Sequence, residues 1–203
     1  IAYPISQAKK LQSIDKVFVS TDCEDIKRIS EKFGAKVIMR PSHLAEDDSK
    51  ELDAWKHAIT FTESMYGNFD YFLSLPATSP LRVDSDIDNA IDLINIDKQL
   101  DGVVGITETN HHPAFNIVSK DKYGKVDLYD SSVEIFRRQD CSKIYNLTTI
   151  LYLMSPNFLL KTKNIFEGNI GGIIVPKERA IDIDDPVDLF IAKKLHKKYG
   201  QKI

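Results

Sequence analysis

The chain has 203 residues, 42% of them hydrophobic and 28% charged, enough to bury one core and at most two small ones. Its 27 lysines and arginines against 30 aspartates and glutamates give a formal charge of −3, which argues against a dedicated nucleic-acid binder and leaves room for a local phosphate site. The longest apolar runs, such as IYNLTTILYLM, are too short to span a bilayer, and Cys23 and Cys141 lack CxxC or Cys/His spacing, which argues for a reducing compartment and against structural zinc.

Ile1, Tyr3, Ile5, Ala8 and Leu11 recur as the entry to an amphipathic helix. Lys16 to Ser20 is a short β-branched run ending in Ser20-Thr21-Asp22, and Ile26, Ile29 and Phe33 follow at helical spacing, which predicts strand, cap and helix. Gly34 suits the helix C-terminal cap, and Ala35 to Met39 is the next buried strand. A polar loop from Pro41 to Ser49 leads to a helix carrying Leu52, Trp55, Ile59 and Met65, then to a strand over Tyr71 to Leu75. The loop Pro76 to Arg82 leads to a helix on Ile87, Ala90, Ile91 and Ile94, then to the strand Gly102 to Thr107. Strands alternating with helices of this length predict an α/β fold with βαβ crossovers and a mainly parallel sheet covered on both faces. Ligands of such sheets lie beyond the carboxyl ends of the strands.

From His111 to Tyr145 the helical period lapses, and Phe115 to Val118 with Lys125 to Leu128 read as a β-hairpin turning at Lys122-Tyr123-Gly124. This is an excursion within one domain spanning residues 1–203. The chain returns through Ile144 to Met154, makes a short helix near Asn157 to Leu160, and continues through a strand at Gly172 to Val175. It closes on a helix opened by Asp185 as N-cap, Pro186 at the first helical position and Asp188 in the first turn.

Several clusters are candidates for chemistry. In Ala180-Ile181-Asp182-Ile183-Asp184-Asp185, a strand places Asp182 and Asp184 on one side and the isoleucines toward the core. Two carboxylates on one face make half a cage for Mg²⁺, which fills its other positions with water and phosphate oxygens; two solvated aspartates before a helix are the alternative. In Pro76 to Arg82, prolines restrict the backbone while Thr78, Ser79 and Arg82 offer donors, or else the segment is only a turn and helix entry. Arg40, at another strand end, carries a planar fork suited to a phosphate or a base edge, with a surface salt bridge as the competing account. Arg137-Arg138-Gln139-Asp140 and Tyr145 suit a carboxylate-bearing ligand, a partner subunit, or mere solubility. His111-His112 and the terminal lysines read as structural. No GxGxxG, P-loop, GxSxG, HExxH or EF-hand pattern occurs, and Cys23 has no local histidine to make it a nucleophile.

In order along the chain, VSTDCEDIKRISEKFGAKVIMRPSHLAEDDSKELDAW, SLPATSPLRVDSDIDNAIDL, HHPAFN, FRRQDCSKIY and VPKERAIDIDDPVDL resemble the acylneuraminate cytidylyltransferase family, nearly end to end. The resemblance implies a three-layer fold of the nucleotide-diphosphosugar-transferase type. It also implies a Mg²⁺-dependent reaction of CTP with a nonulosonic acid that gives the CMP-sugar and pyrophosphate. By the same resemblance, Arg40, Asp47 and Ser49 surround the cytosine and ribose, and Thr78, Ser79 and Arg82 lie beside nucleotide and sugar. Arg138 and Gln139, with Tyr145, approach the sugar acid from a dimerisation excursion over residues 111–145. Asp182 and Asp184 are the metal carboxylates, and Asp182, Asp184 and Arg138 form the catalytic set.

A cytoplasmic homodimer acting in surface-glycan biosynthesis, without nucleic acid or membrane partners, completes that expectation. The family's Gly- and Lys-rich CTP loop and the strand before it are expected ahead of Ile1. Pro76 stands where the family has glutamine, and Thr148-Thr149 where it has Asn-Gly. These departures keep open another acid, including a Kdo-like one, or a catalytically silent nucleotide- or sugar-binding dimer.

Overall fold

The computed structural model describes residues 1–132 and 143–199. Strands β1 (Phe18–Thr21) and β2 (Lys36–Met39) pair in parallel, with Val19 opposite Val37. Helices α1 (Ala2–Lys10) and α2 (Glu24–Lys32) accompany this pair, and Ile5, Val19 and Ala35 form its small core. Gly34, at φ +80°, turns the chain out of α2, and the N–H groups of Gly34 and Ala35 donate to the carbonyls of Glu31 and Ser30. That left-handed turn is the helix cap the sequence predicts. The apolar face predicted for α2 is corrected: Ile26 and Ile29 are 39% and 40% exposed, whereas Ser30 is wholly buried. Ser30 can turn inward because its hydroxyl donates to the Ile26 carbonyl at 2.7 Å.

Helix α3 (Glu51–Tyr66) leads to β3 (Phe72–Ser74), and α4 (Asp84–Ile96) leads to β4 (Gly102–Glu108). The excursion carries a hairpin of β5 (Val118–Lys120) and β6 (Val126–Leu128), turned by Gly124 at φ +92°. Phe115 to Ile117, expected in its first strand, form a turn instead, their three N–H groups donating to the His112 carbonyl. The chain re-enters as β7 (Tyr145–Met154), then α5 (Pro156–Lys161), β8 (Ile170–Ile174) and α6 (Pro186–Tyr199).

The four-stranded sheet has the order β3-β7-β4-β8. β4 and β8 are parallel, and β7 is antiparallel to both of its neighbours. Three strands therefore share one direction, as the crossovers predict, while β7, delivered from the far end by the excursion, runs against them.

Both faces of the sheet are covered. On one, α4 packs Ile87, Ala90 and Ile94 on Val103, Leu151 and Leu153. On the other, Trp55 and Ile59 of α3 and Leu159 of α5 pack on Val104, Tyr152 and Met154. Each fully buried aliphatic or aromatic side chain contributes about 1.5–3 kcal/mol. β7 bulges against β4 between Val104 and Ile106, and Gly105 sits inside the irregularity. A Cβ there would lie 2.7 Å from Thr148 Oγ1 and 3.2 Å from Ile150 Cβ.

Candidate active site

The loop after β3 is tied down by its own last residue. Arg82, 3% exposed, donates from Nε to the Ile150 carbonyl and from Nη2 to the Pro76 carbonyl at 3.0 Å. One planar guanidinium thus joins both ends of the loop to β7. Burial lowers its pKa to about 10, and the neighbouring Asp86 works against that shift. The cation persists at neutral pH as a fixed strut. Ser79, 2% exposed, shares a 2.6 Å hydrogen bond with Thr149. With Ser79 and Arg82 anchored, Thr78 is left exposed at the crest.

The aspartate segment meets this crest. The Ile183 N–H donates to the Thr78 carbonyl at 3.0 Å, which sets Asp182 and Asp184 on either side of a fixed backbone point. The expected strand is corrected: residues 181–184 have no ladder partner and are extended loop. Pro176, lacking an N–H, follows β8 closely, and this single cross-loop bond replaces a ladder. Asp182 is half-buried, and its Oδ1 is buried without a hydrogen-bond partner. Asp184 is exposed.

Two further restraints hold the segment. Asp185 accepts from the N–H groups of Val187 and Asp188 at 2.7 and 2.9 Å, while Asp188 accepts from those of Asp184 and Asp185, both at 3.2 Å. This reciprocal box bears out Asp185 as the cap. Upstream, Arg179 makes a bidentate pair with the buried Asp86 of α4, one arm at 2.9 Å.

Arg40 is bound by its own chain. Its Nη2 donates to the Ser20 carbonyl at 2.7 Å, its Nε to the Ser20 hydroxyl at 3.3 Å and its Nη1 to the Leu44 carbonyl at 3.3 Å. It clamps the end of β1 to the short 3-10 turn Ser42–Leu44, and no salt bridge to it is formed among the described residues. Ser49 accepts from the Glu46 N–H and donates to the His43 carbonyl, each at 3.0 Å, so it shapes this loop, and Asp47 is exposed within it. Among the described residues no hydrogen bond joins Asp47 or Ser49 to the Thr78 crest. Tyr145 opens β7 opposite Glu108, 36% exposed. Arg138, Gln139 and Cys141 lie outside the described residues. Cys23 is exposed and free at the start of α2.

Residues missed by the sequence reading lie within electrostatic reach of Asp182. Glu51 begins α3, where it passes for an ordinary helix-start acid. Much of its side chain meets solvent, yet enclosure of the carboxyl raises its pKa, the Asp182 charge adds to this, and the Trp55 hydrogen bond and Arg40 oppose it. Tyr152, inside a run that reads as core, is 6% exposed; burial, followed by the charges of Glu51 and Asp182, pushes its pKa up to about 12. Glu51, Tyr152 and Asp182 thus sense one another electrostatically. Nothing in IYNLTTILYLM set Tyr152 apart from the other polar residues of the run.

Hard oxygen donors suit a magnesium ion. Among the described residues no group of three or more His, Cys, Asp or Glu is arranged to hold a metal. Two carboxylates, one with an unpartnered buried oxygen, fit an ion that keeps most of its sphere for water and phosphate.

An anchored loop and an aspartate pair beyond the strand ends lie where open α/β sheets bind their ligands. Solved structures share the fold. CMP:2-keto-3-deoxy-manno-octonic acid synthetase complexed with CTP matches with a TM-score of 0.69 at 15% identity, over 98% of this chain and 87% of that one. 4-Diphosphocytidyl-2C-methyl-D-erythritol synthase matches with a TM-score of 0.63 at 12% identity, over 96% and 88%.

The chain belongs to the cytidylyltransferase family, whose model matches residues 1–182. Post-translational flagellin modification protein B of Campylobacter coli is 30% identical over 98% of this chain and 84% of its own length. N-acylneuraminate cytidylyltransferase of Escherichia coli O18:K1:H7 is 30% identical over 100% of this chain and 47% of its own. CMP-N,N'-diacetyllegionaminic acid synthase of Campylobacter jejuni is 27% identical over 96% and 83%. No helix among the described residues is long and apolar enough to cross a membrane.

Proposed function

We propose that this cytidylyltransferase moves the cytidylyl group of CTP to the anomeric hydroxyl of a nonulosonic acid, sialic acid or a relative, releasing pyrophosphate. The observation that carries the reading is the Ile183 to Thr78 hydrogen bond, which makes one site of the aspartate segment and the loop after β3. Relatives that act on N-acylneuraminate and diacetyllegionaminic acid support the substrate class.

In the reaction the sugar hydroxyl oxygen forms a bond to the α-phosphorus while the bond to the β-phosphate oxygen breaks in line. There is little covalent work for side chains, so positioning and electrostatics supply most of the acceleration. Thr78 lines the approach, Ser79 and Arg82 keep its loop in register, and Arg40 holds the loop of Asp47 and Ser49 where cytosine and ribose are to lie. Arg138 and Gln139, with Tyr145, are assigned to the sugar carboxylate. Asp182 and Asp184 would hold Mg²⁺, which when bound offsets the triphosphate charge.

The reading extends to a homodimer through residues 111–145, with the free Cys23 suiting a reducing cytoplasm. The test is pyrophosphate release by the protein with the CTP loop expected ahead of Ile1 in place, given CTP, Mg²⁺ and a panel of nonulosonic acids. Release that depends on one acid establishes the reaction. No release with any acid, Kdo included, overturns it.

A further inference from the structure

The loop after β3 and the aspartate segment are joined twice. The first join is the Ile183 N–H to the Thr78 carbonyl, and the second runs through Asp86 of α4. Asp86, 3% exposed, accepts from the Val83 N–H at 2.9 Å, the amide directly after Arg82, and from both Nη atoms of Arg179. Arg179 closes a turn, its own N–H donating to the Pro176 carbonyl at 2.9 Å, and Asp182 follows three residues on.

Chain and hydrogen bonds thereby make a closed ring. It runs from Thr78 along the loop to Val83, across Asp86 to Arg179, down the chain to Ile183, and back to Thr78. Asp182 belongs to the ring, and Asp184 lies one residue beyond it. The Thr78 side is fixed to β7 through Ser79 and Arg82, whereas residues 181–184 have no ladder partner. The spacing of the aspartates from the crest therefore depends on the two joins.

The chemistry of the second join is informative. A buried ion pair is a poor source of stability, because desolvating both charges offsets their attraction and apolar residues of similar volume often serve as well. What a bidentate fork supplies, and an apolar contact does not, is a fixed distance in a fixed plane. Placement matters here, since a displacement of roughly 1 Å in a reacting group can lower the rate about a hundredfold.

We propose that Asp86 and Arg179 are positioning residues for cytidylyl transfer, their ion pair setting the spacing between the Asp182 segment and the Thr78 crest. This rests on the cytidylyl-transfer reading. It adds a pair that acts through Asp182 and Thr78 and itself touches no substrate.

The test uses the protein with the CTP loop expected ahead of Ile1 in place. Arg179→Lys keeps the charge without the fork, and the double variant Asp86→Leu with Arg179→Met removes both charges while keeping an apolar filling. Urea unfolding, pyrophosphate release and amide hydrogen exchange at Ile183 are followed in each. Both variants are expected to keep most of the wild-type unfolding midpoint. Their kcat falls about tenfold or more, with KM for CTP less affected. The Ile183 amide exchanges faster, while the core amides of β4 and β7 exchange as in the wild type.

An unchanged kcat overturns the proposal. So does a fall in kcat that tracks a matching loss of stability, with the core amides accelerated alongside Ile183, because the pair is then only structural. If the double variant does not fold, Arg179→Lys decides alone. No release by the wild type with any acid removes the transfer reading and this role with it, whereas release that neither variant slows removes only the role of the pair.

Discussion

Arg179 and Asp86 form a bidentate ion pair, the two side chains 14% and 4% exposed, that fixes the chain three residues before Asp182. Asp86 also accepts from the Val83 N–H at 2.9 Å, so one carboxylate caps α4 and anchors the aspartate segment. Asp86→Ala leaves a largely buried guanidinium unpaired and is expected to cost about 3–5 kcal/mol. Urea unfolding measures this. Replacing both residues by apolar side chains of similar volume is expected to recover most of the stability.

Asp184→Asn is expected to abolish turnover with almost no change in Tm, because an exposed carboxylate contributes little to the core. Activity assays and thermal melts on one preparation decide it. A large fall in Tm with activity retained would make the aspartate structural.

The hydroxyl pair between β7 and the Thr78 loop separates anchoring from recognition. Thr149→Val leaves the buried Ser79 hydroxyl without its 2.6 Å partner and is expected to destabilise by about 1–3 kcal/mol. Removing both hydroxyls with Ser79→Ala is expected to be milder, and chemical denaturation of the three variants shows the non-additivity.

Two groups coupled to Asp182 give stability a pH signature. Tyr152, with its pKa pushed up to about 12 from 10.0, keeps its proton in the folded state after the unfolded chain has lost it. Its contribution is full below pH 10 and lost as pH rises through about 12, so Tyr152→Phe should flatten the alkaline decline of Tm. Glu51, raised from 4.5, follows the same sign in acid: its favourable contribution is full below 4.5 and lost as pH rises through its folded value. Glu51→Gln is therefore expected to leave Tm at pH 7 equal or higher, as measured by a pH series of melts.

The alternation of strand and helix was legible because period and cap chemistry are local: Gly34 and Asp185 do what their neighbours require. The reversed β7 was not, since strand direction depends on where the excursion delivers Tyr145, a non-local fact. For Asp182, alternation misled, because the two-residue period presumes a ladder and this segment has one cross-loop bond. Arg40 and Arg82 were visible as cations at strand ends, but only coordinates show that carbonyls occupy much of their donor capacity. Glu51 stayed hidden because its distinction lies in Trp55 and Asp182, four positions and a whole domain away in sequence.

The place of β7 also bears on the timing of synthesis. β3 pairs with β7, Phe72 facing Met154, and in the four-stranded sheet it has no other neighbour. While a ribosome is still making the excursion, the loop carrying Thr78 and Ser79 has left it, but the strand supplying Ile150 and Thr149 does not yet exist. The site is thus among the last parts of the molecule to assemble, after the most distant contacts have closed. A nascent chain halted before β7 would hold Ser79 and Arg82 without the partners that fix their loop.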